Sequence, residues 1–173
     1  MTNNVTSIIE ANEEVILSML NQDGLVDFCQ IVPRRKDLDD AWGTKWNAYG
    51  QDADDNTSTR VFFQTAWSHP DRVIEALSKK FPEHEINVRF ADEQDMGLNC
   101  GYYTIKNGEM IDQHIAPRWS EISNEEKAKW NEFAFKLLDE DADPREYGYD
   151  ENWIYDEAIK EEYFQTISSG ISC

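Results

Sequence analysis

The sequence predicts an α+β fold in which a sheet carries helices on one face and a helical extension follows it. Two observations lead to this prediction. Strand-like period-two patterns and helical patterns alternate up to about residue 116, whereas only helical patterns follow Pro117. The negative charge is also densest after that point. We therefore predict a sheet domain over residues 1–116 and an acidic helical extension, packed on it, over residues 117–173.

The first strand–helix–strand unit is predicted close to the start of the sequence. The β-branched residues of Val5–Glu10 favour a strand. Asn12 is a good N-cap for a helix that ends at Gly24. The side chains predicted to share its buried face are Ile16, Leu17 and Leu20. Apolar and polar residues alternate through Val26–Val32, which predicts a second strand that ends at Pro33.

The second unit begins with the clearest strand of the sequence, Arg60–Trp67, in which alternate residues are apolar. Ser68 and Asp71, on either side of Pro70, predict a capping box at the start of the next helix. The apolar residues of that helix are Val73, Ile74, Leu77 and Phe81.

A further strand and a hairpin complete the predicted sheet. Alternation predicts a strand at Ile86–Phe90. Cys100–Ile105 and Met110–Ile115 flank Asn107-Gly108, a strong signal for a type I′ hairpin. Two βαβ units packed as one sheet, with both helices on one face, form the ferredoxin-like βαβ-βαβ arrangement, here with an added hairpin strand.

Two helices are predicted in the C-terminal extension. Ser123 and Glu126 form a capping box for the first. Its apolar stripe is Trp130, Phe133, Ala134, Leu137 and Leu138. A loop from Asp139 to Asp150 leads to a second helix from Asn152 to about Phe164. The side chains predicted to share a face of that helix are Tyr155, Ile159 and Tyr163.

Charge is the dominant feature of the composition. The chain has 35 acidic and 16 basic residues, a net charge of −19. Such a charge repels phosphate backbones and anionic membranes and attracts basic surfaces, which argues against direct binding of nucleic acid or membranes. No apolar run is long enough to span a bilayer, and the sequence does not start with a secretory signal. We therefore expect a cytoplasmic protein with reduced thiols.

The acidic residues are unevenly distributed. Between Asp139 and Glu162 the sequence holds 11 acidic and two basic residues. Solubility explains the charge of many acidic proteins, but it does not explain this concentration in one segment. We predict a partner-binding acidic surface formed by Asp139, Glu140, Asp141, Asp143, Glu146, Asp150, Glu151, Asp156 and Glu157.

Two motifs occupy the middle of the chain: Trp42-Gly43-Thr44-Lys45-Trp46-Asn47-Ala48-Tyr49 and Phe63-Gln64-Thr65-Ala66-Trp67-Ser68. Together with Phe81-Pro82 and Met96-Gly97, they resemble the YubB-like ferredoxin-like family of phage and plasmid proteins. The resemblance covers roughly Val5 to Ile115 and implies a ferredoxin-like fold and a mobile-element origin, but no enzyme activity. The sequence lacks the Trp-Cys-x-Asn-type first strand of that family, and His69 stands where the family tends to have a proline.

The tryptophans of these motifs suit either packing or binding. As buried side chains, Trp42, Trp46 and Trp67 can pin the long loop before Arg60 onto a sheet edge. Lys45 can lie along them or pair with a carboxylate. The alternative is a pocket for a ligand beneath the three rings.

Patterns typical of catalytic or metal sites do not occur in the sequence. The three histidines lack ligand spacing, and there is no phosphate-binding loop or nucleophile motif. We therefore predict no enzyme activity, no cofactor and no metal. Cys29 and Cys100 are predicted to be buried thiols. The segment Asp139–Asp150 has the aspartate spacing of a calcium loop, but Pro144 replaces the turn glycine, so a solvated acidic loop is the better interpretation.

Charge and resemblance together predict a binding protein. A dense row of carboxylates on a rigid scaffold can imitate the phosphates of DNA. The predicted partner is a basic nucleic-acid-binding protein or complex of a host defence system, inhibited through nucleic-acid mimicry as by anti-CRISPR or anti-restriction proteins. The alternative is a ferredoxin-like module that recognises a peptide or small ligand through its tryptophans, without an inhibitory role. The sequence leaves the oligomeric state open.

Overall fold

The computed structural model describes residues 3–34, 41–93 and 99–171. The strands of this part of the chain are β1 (Asn4–Glu10), β2 (Arg60–Ala66), β3 (Ile86–Asp92), β4 (Cys100–Lys106) and β5 (Glu109–Ile115). Its α-helices are α1 (Glu13–Met19), α2 (Asp71–Lys80), α3 (Asn124–Leu138) and α4 (Glu157–Ile171). None of these helices is long and apolar enough to cross a membrane.

The described residues divide into two compact units. The first, which we call the sheet unit, contains residues 3–34, 41–93 and 99–116 and therefore β1 to β5, α1 and α2. The second, the acidic unit, contains residues 117–171 with α3 and α4. The packing of a C-terminal extension on the sheet domain stays a prediction.

The strands of the sheet unit form one sheet in the order β2-β1-β3-β4-β5, with every neighbouring pair antiparallel. Because β1 is antiparallel to both β2 and β3, these two strands run parallel to each other with β1 between them. The helix that connects them is α2, which makes this a split βαβ unit of the ferredoxin-like kind. The predicted α+β, ferredoxin-like fold class is confirmed.

One face of the sheet packs against α1 and α2. Ser7 of β1 lies opposite Phe63 of β2 and Phe90 of β3, so these three residues share a face. The buried apolar cluster joins this face to both helices, through Val5, Ile9, Val61, Phe63, Val88 and Phe90 of the strands, Val15 and Ile16 of α1, and Ile74 and Leu77 of α2. Both helices therefore lie on one face of the sheet, as predicted.

The strand predicted at Val26–Val32 does not form, and that prediction is wrong. Residues Phe28–Gln30 form a short 3₁₀ helix instead. The Asp27 carboxylate accepts a hydrogen bond from the Cys29 N–H at 3.0 Å, and the Asn47 side-chain oxygen accepts one from the Phe28 N–H at 2.9 Å. Side chains thus take the donors that a strand would offer to a neighbour. The alternation of the sequence reflects only the burial of Val26 and Phe28.

A single residue of the loop before β2, Tyr49, pairs with the free side of β2. Tyr49 and Gln64 exchange two backbone hydrogen bonds, at 3.0 and 2.8 Å. The Tyr49 hydroxyl also donates to the side-chain oxygen of Asn4 on β1. The long loop before β2 is therefore tied to this edge of the sheet by Tyr49.

Helix α1 is shorter than predicted. It ends at Met19 and does not reach Gly24, because the Met19 carbonyl accepts a hydrogen bond from the Asp27 N–H at 2.9 Å. Its buried side chains are Val15, Ile16 and Met19. Leu17, which was predicted to share the buried face, is 70% exposed. At about 100° per residue, Val15, Ile16 and Met19 lie within about 100° of one another around the helix. Leu17 lies about 150° from the middle of this face and therefore points to solvent.

The capping box predicted at Ser68 and Asp71 is not formed. Helix α2 begins at Asp71 without a side-chain cap. The Ser68 hydroxyl donates instead to the Gly43 carbonyl at 2.7 Å. Gly43 has a φ of 75°, and a Cβ at this position would overlap the Asp71 carboxylate. A glycine is therefore required where the tryptophan-rich motif approaches the start of α2.

The hairpin of β4 and β5 is confirmed in place and type. Asn107 and Gly108 have φ values of 49° and 77°, as a type I′ turn requires. The register shifts between Thr104 and Ile105, which leaves Ile111 as an extra residue on β5. This bulge lies near the turn, and the pairing of Asp112 to Ile115 with β4 is regular.

The acidic unit begins its first helix as predicted and its second helix later. The Ser123 hydroxyl caps α3 by accepting the Glu126 N–H at 3.2 Å. The described buried residues of α3 are Asn131, Ala134 and Leu137, whereas Leu138 is 42% exposed. Helix α4 starts at Glu157, not at Asn152, so Tyr155 is not on it. The cause is Asp150, whose carboxylate accepts the N–H groups of Asn152 and Ile154 and holds them in a turn.

Candidate functional site

Aromatic side chains hold the chain between α3 and α4 in place. We call residues 139–157, which contain the predicted surface acids, the acidic segment. The Phe135 ring of α3 stacks on the rings of Tyr147 and Trp153, with centroid distances of 4.5 and 5.3 Å and interplanar angles of 27° and 15°. Tyr149 lies 5.3 Å from Phe135 and 6.0 Å from Trp153. Both Tyr149 and Trp153 are buried. We call these four residues the aromatic stack; it gives the acidic segment a defined conformation.

Local backbone geometry supports the aromatic stack. The short 3₁₀ helix Pro144–Tyr147 ends at Gly148, which has a left-handed φ of 85°. A Cβ on Gly148 would lie 2.7 Å from the Tyr155 ring. Trp153 also has a positive φ, 60°, which is costly for a bulky aromatic residue, and its carbonyl accepts a hydrogen bond from the Asn131 side chain. The chain tolerates this cost because it brings the indole ring onto Phe135.

Some of the predicted surface acids build the segment itself. Each accepts a hydrogen bond from the N–H two residues further on, at 2.8–3.0 Å; they are Asp139, Asp143, Asp150 and Asp156. The Arg145 guanidinium binds both carboxylate oxygens of Asp143, at 3.2 and 2.9 Å. These hydrogen bonds from Arg145 lower the pKa of the Asp143 carboxyl. The carboxylates of the four aspartates therefore shape the turns of the segment.

The other predicted surface acids face solvent. They are Glu140, Asp141, Glu146, Glu151 and Glu157, and we call them the free carboxylates. Within the described part of the chain, their carboxylates make no hydrogen bond and no ion pair. Burial, and the charges of Glu146 and Asp139, raise the pKa of the Tyr147 hydroxyl. The segment thus presents unneutralised negative charge on a structured support.

The segment was also a candidate for calcium. Among the described residues, no group of three or more histidine, cysteine, aspartate or glutamate side chains is arranged to hold a metal ion. Three of the aspartates with calcium-loop spacing, Asp139, Asp143 and Asp150, accept N–H groups of their own turns. The fourth, Asp141, faces solvent.

The predicted tryptophan cluster divides into one core residue and two surface residues. Trp42 is 4% exposed, its ring meets Phe28 edge-on at 5.7 Å, and its Nε1–H donates to the Val32 carbonyl at 2.9 Å. The Arg34 guanidinium lies 5.4 Å from the centre of its ring. Trp42 therefore pins the loop before β2 to the core, whereas a sheet edge was predicted.

Trp46 and Trp67 are 44% and 49% exposed, so the expectation that all three tryptophans are buried is wrong for these two. The Lys45 ammonium lies 5.2 Å from the centre of the Trp46 ring, a cation–π contact where a carboxylate partner was considered. Trp67 has a φ of 68°, because the chain turns sharply after β2 while the Trp67 N–H donates to the Asn3 carbonyl at 2.8 Å. This turn directs the indole away from the core.

A buried polar network was not predicted from the sequence. The His69 ring lies between two hydroxyl groups: Nδ1 is 3.1 Å from Ser7 Oγ, and Nε2 is 2.6 Å from the Tyr103 hydroxyl. The ring also stacks on Phe90 at 4.4 Å. Burial lowers the pKa of His69 from 6.5 to about 3. No sequence signal links these residues, since they lie 62 and 34 positions apart.

The network is a structural feature and not a nucleophile site. Ser7 is fully buried at the centre of the sheet, so a substrate cannot reach its hydroxyl. A histidine whose neutral form is so strongly favoured is also a poor proton acceptor near neutral pH. Its role is to satisfy two buried hydroxyls in an apolar layer.

The cysteines differ from each other. Cys100 is buried, and burial, with the charge of Asp92, raises the pKa of its thiol to about 12. Cys29 is exposed, because it lies on a 3₁₀ helix and not in a strand, so the prediction of a buried thiol is wrong there. Cys173 and the Met96-Gly97 part of the resemblance lie outside the described residues.

Comparison with known proteins places the chain in a family. The family model described as "Ferredoxin-like domain in Api92-like protein" matches residues 45–134. This match covers just over half of the 173 residues and extends from the tryptophan-rich motif into α3. No curated protein and no solved structure matches the chain. The chain belongs to the family of ferredoxin-like domains found in Api92-like proteins.

Proposed function

We propose that this protein acts by binding and not by catalysis, and that its acidic segment occupies the basic groove of a host nucleic-acid-binding protein. The observation that carries the proposal is the set of free carboxylates displayed on a segment fixed by the aromatic stack. A flexible acidic tail would lose conformational entropy on binding, whereas a preformed segment has little left to lose. The proposal treats this segment as a mimic of a phosphate backbone.

The charge arrangement supports mimicry over simple solubility. Arg145, one of the two basic residues of the segment, is engaged with Asp143 and does not offset the free carboxylates. Exposed charges interact weakly one at a time but act together over a surface, which gives fast association that salt suppresses. Duplex DNA has about one negative charge per 1.7 Å of its axis, so a basic groove shaped for it is the natural target.

The resemblance to YubB-like phage and plasmid proteins supports a setting for this activity. A protein of a mobile element gains from inhibiting a defence complex in the cytoplasm of its host. Such complexes bind DNA or RNA through extended basic surfaces. The proposal is therefore an inhibitor of the anti-CRISPR or anti-restriction type, with no cofactor and no direct contact with nucleic acid or membrane.

The test is capture of a partner from a bacterial lysate at low and high salt, followed by an activity assay with that partner. The variant for this test changes Glu140, Glu146, Glu151 and Glu157 to glutamine. These side chains are exposed and make no hydrogen bond among the described residues, so the fold should persist. The matched control changes four other exposed glutamates, Glu13, Glu83, Glu85 and Glu121, and carries the same net charge.

Mimicry predicts that the wild-type protein and the control inhibit the partner while the segment variant loses inhibition. Duplex or guide-bound nucleic acid should compete for the partner, and high salt should release it. Equal activity of the two four-site variants would show that the segment is only a solvated surface.

A second candidate function rests on Trp46 and Trp67. Both rings are about half exposed, and Trp67 has a positive φ of 68°, which is costly for a bulky residue and keeps its ring at the surface. These rings suit recognition of a peptide or small ligand. Under this alternative, Trp46→Ala and Trp67→Ala remove partner capture and lower the free energy of unfolding by about 1 kcal/mol or less, whereas the four-site variant of the acidic segment has no effect.

A further inference from the structure

The outer edge of the sheet is formed by β5, and every residue of this strand is exposed. Among the described residues, β5 pairs with β4 on one side and with no strand on the other. Three of its exposed side chains are large and apolar: Met110, Ile111 and Ile115, at 45%, 52% and 38%. An open edge of this length and character is a template for pairing with another chain.

Natural sheets protect such edges with charged side chains, most often lysine, with proline or with a bulge. The sequence of β5, Glu-Met-Ile-Asp-Gln-His-Ile, contains neither lysine nor proline, and of its two acidic residues Asp112 lies against His114 while Glu109 is next to the turn. Its bulge at Ile111 lies near the turn and leaves Asp112 to Ile115 in regular pairing with β4. The part of the edge furthest from the turn is therefore available as a regular strand.

The hydrogen-bond pattern shows which main-chain groups face the open side. The Ala116 N–H donates to the Cys100 carbonyl at 2.9 Å, so Ala116 is directed towards β4. Since direction alternates along an antiparallel pair, the N–H and C=O groups of Ile115 and Gln113 point away from β4. A strand added at this edge would have to bond to these residues.

The five residues Ile111-Asp112-Gln113-His114-Ile115 are self-complementary about their centre. When two copies are paired antiparallel with Gln113 opposite Gln113, each Asp112 faces the His114 of the other copy. Each Ile111 then faces the other Ile115. This register places Gln113, whose main-chain groups point outward, opposite Gln113 of the other copy, where the two residues exchange both main-chain hydrogen bonds. Ile115 then lies opposite the bulge residue Ile111 of the other copy, and this pair contributes apolar side-chain contact.

We propose that β5 is a homodimerisation edge, at which a second copy of the chain pairs antiparallel about Gln113 and continues the sheet. The contact is isologous, so the same five residues serve both copies. The exposed Asp112 and His114 already approach each other within one chain, with Oδ1 and Nε2 3.1 Å apart. In the dimer, each Asp112 lies next to the His114 of its own strand and opposite the His114 of the other copy.

The charge of the protein sets the conditions for this contact. Each copy has a net charge of −19, so long-range repulsion opposes the dimer and salt relieves it. Salt should therefore strengthen dimerisation, whereas it weakens binding through the acidic segment. The two interactions are distinguishable by this opposite dependence.

The experiment is sedimentation of the full chain over a concentration series, at about 0.15 M and about 0.5 M salt. We expect a species of twice the 20.2 kDa chain mass, more abundant at high salt. In Gln113→Pro, an outward-facing N–H is removed without loss of a β4–β5 hydrogen bond, and the dimer should weaken at least about tenfold. A wild-type protein that stays monomeric up to about 1 mM would overturn the proposal.

Two further sets of variants test the register and guard against misfolding. His114→Asp places carboxylates opposite each other and should dissociate the dimer. Asp112→His combined with His114→Asp restores opposite pairs and should restore the dimer.

Ile115→Lys should also dissociate the dimer, whereas the control Leu17→Lys, at an exposed residue of α1, should not. Circular dichroism establishes that each variant is folded. A dimer that survives in Gln113→Pro, or is not restored in the double variant, would exclude this register.

Discussion

The two units of this protein use their polar and apolar side chains in opposite ways. The sheet unit encloses a polar network, Ser7, His69 and Tyr103, within an apolar core, and exposes apolar residues on β5. The acidic unit encloses a stack of rings and exposes carboxylates. The polar network of the sheet unit joins side chains far apart in sequence. The turns of the acidic unit are formed by aspartate carboxylates that accept the N–H two residues further on.

This contrast has consequences for stability and for association. Loss of a buried long-range contact destabilises a whole unit, whereas loss of a turn-forming carboxylate acts locally. For association, salt should strengthen pairing at the β5 edge, because it screens the repulsion between two acidic copies. Salt should weaken binding through the acidic segment, because it screens the attraction to a basic partner.

The largest effect on stability is expected at Trp42, which is buried, with the half-exposed Trp67 as the comparison. Trp42→Ala should lower the free energy of unfolding by about 3–5 kcal/mol, because it removes a buried ring from the core. Trp67→Ala should lower it by about 1 kcal/mol or less, because that ring is half exposed. Urea unfolding followed by circular dichroism measures both. Equal losses in the two variants would mean that exposure does not separate these residues.

Acid should destabilise the sheet unit through His69. The pKa of His69 is about 3 in the folded state and 6.5 in the unfolded state, so the unfolded chain binds the proton more tightly. The stability contribution of the neutral ring is fully present above pH 6.5 and is lost as the pH falls towards about 3. By about pH 4 the loss should be roughly 3 kcal/mol.

The measurement is the free energy of unfolding between about pH 7 and pH 4, compared with His69→Gln. The glutamine variant should be less stable at neutral pH, since it replaces a ring stacked on Phe90, but its stability should fall less steeply with acid. Parallel curves for the two proteins would contradict a neutral buried His69.

A smaller, local effect is expected at Asp150 in the acidic unit. Asp150→Ala removes the acceptor of two backbone N–H groups and should cost about 1 kcal/mol in the turn before α4. Hydrogen exchange of residues 150–158 should increase, with the sheet unit unchanged. Asp150→Asn keeps an acceptor and should restore most of the protection. Asp141→Ala, at an exposed carboxylate, is the matched control; an equal effect there would show that charge, and not the turn, is responsible.

The smallest effect is expected from the four-site glutamine variant of the acidic segment. Removal of neighbouring like charges should raise the melting temperature by about 1–3 °C at low salt. The gain should disappear at high salt, because screening already removes the repulsion. Calorimetry at two salt concentrations measures it. A fall in melting temperature would mean that these carboxylates make stabilising contacts.

Prediction from the sequence succeeded for several elements that local chemistry decides, although Ser68 and Asp71 do not form the expected capping box. The Ser123 cap, the Asn107-Gly108 turn and the alternation of Arg60–Ala66 each depend on residues within a few positions of one another. It failed at Val26–Val32, because alternation records burial on one side and does not show whether a neighbouring strand exists. There, the side chains of Asp27 and Asn47 compete for the backbone donors.

The candidate sites also combine features that the sequence predicts with features that depend on the folded structure. The position and density of the acidic segment were predictable, because charge is a property of composition. The use of Asp139, Asp143, Asp150 and Asp156 as turn-forming acceptors was not, since an aspartate in a loop can equally face solvent. The exposure of Trp67 was missed because a tryptophan at the end of an apolar strand normally continues into the core.

The order of the elements follows from the sequence except for the strand predicted at Val26–Val32, as do the caps and turns that bound several elements and the segregation of negative charge towards the C-terminal part. Only the tertiary structure decided which of three tryptophans is buried, and that His69 meets Ser7 and Tyr103. It also decided that β5 is left at an open edge. The physical reason is that hydrogen bonding within a turn depends on neighbours in sequence, whereas burial and edge exposure depend on which distant segments come to lie alongside.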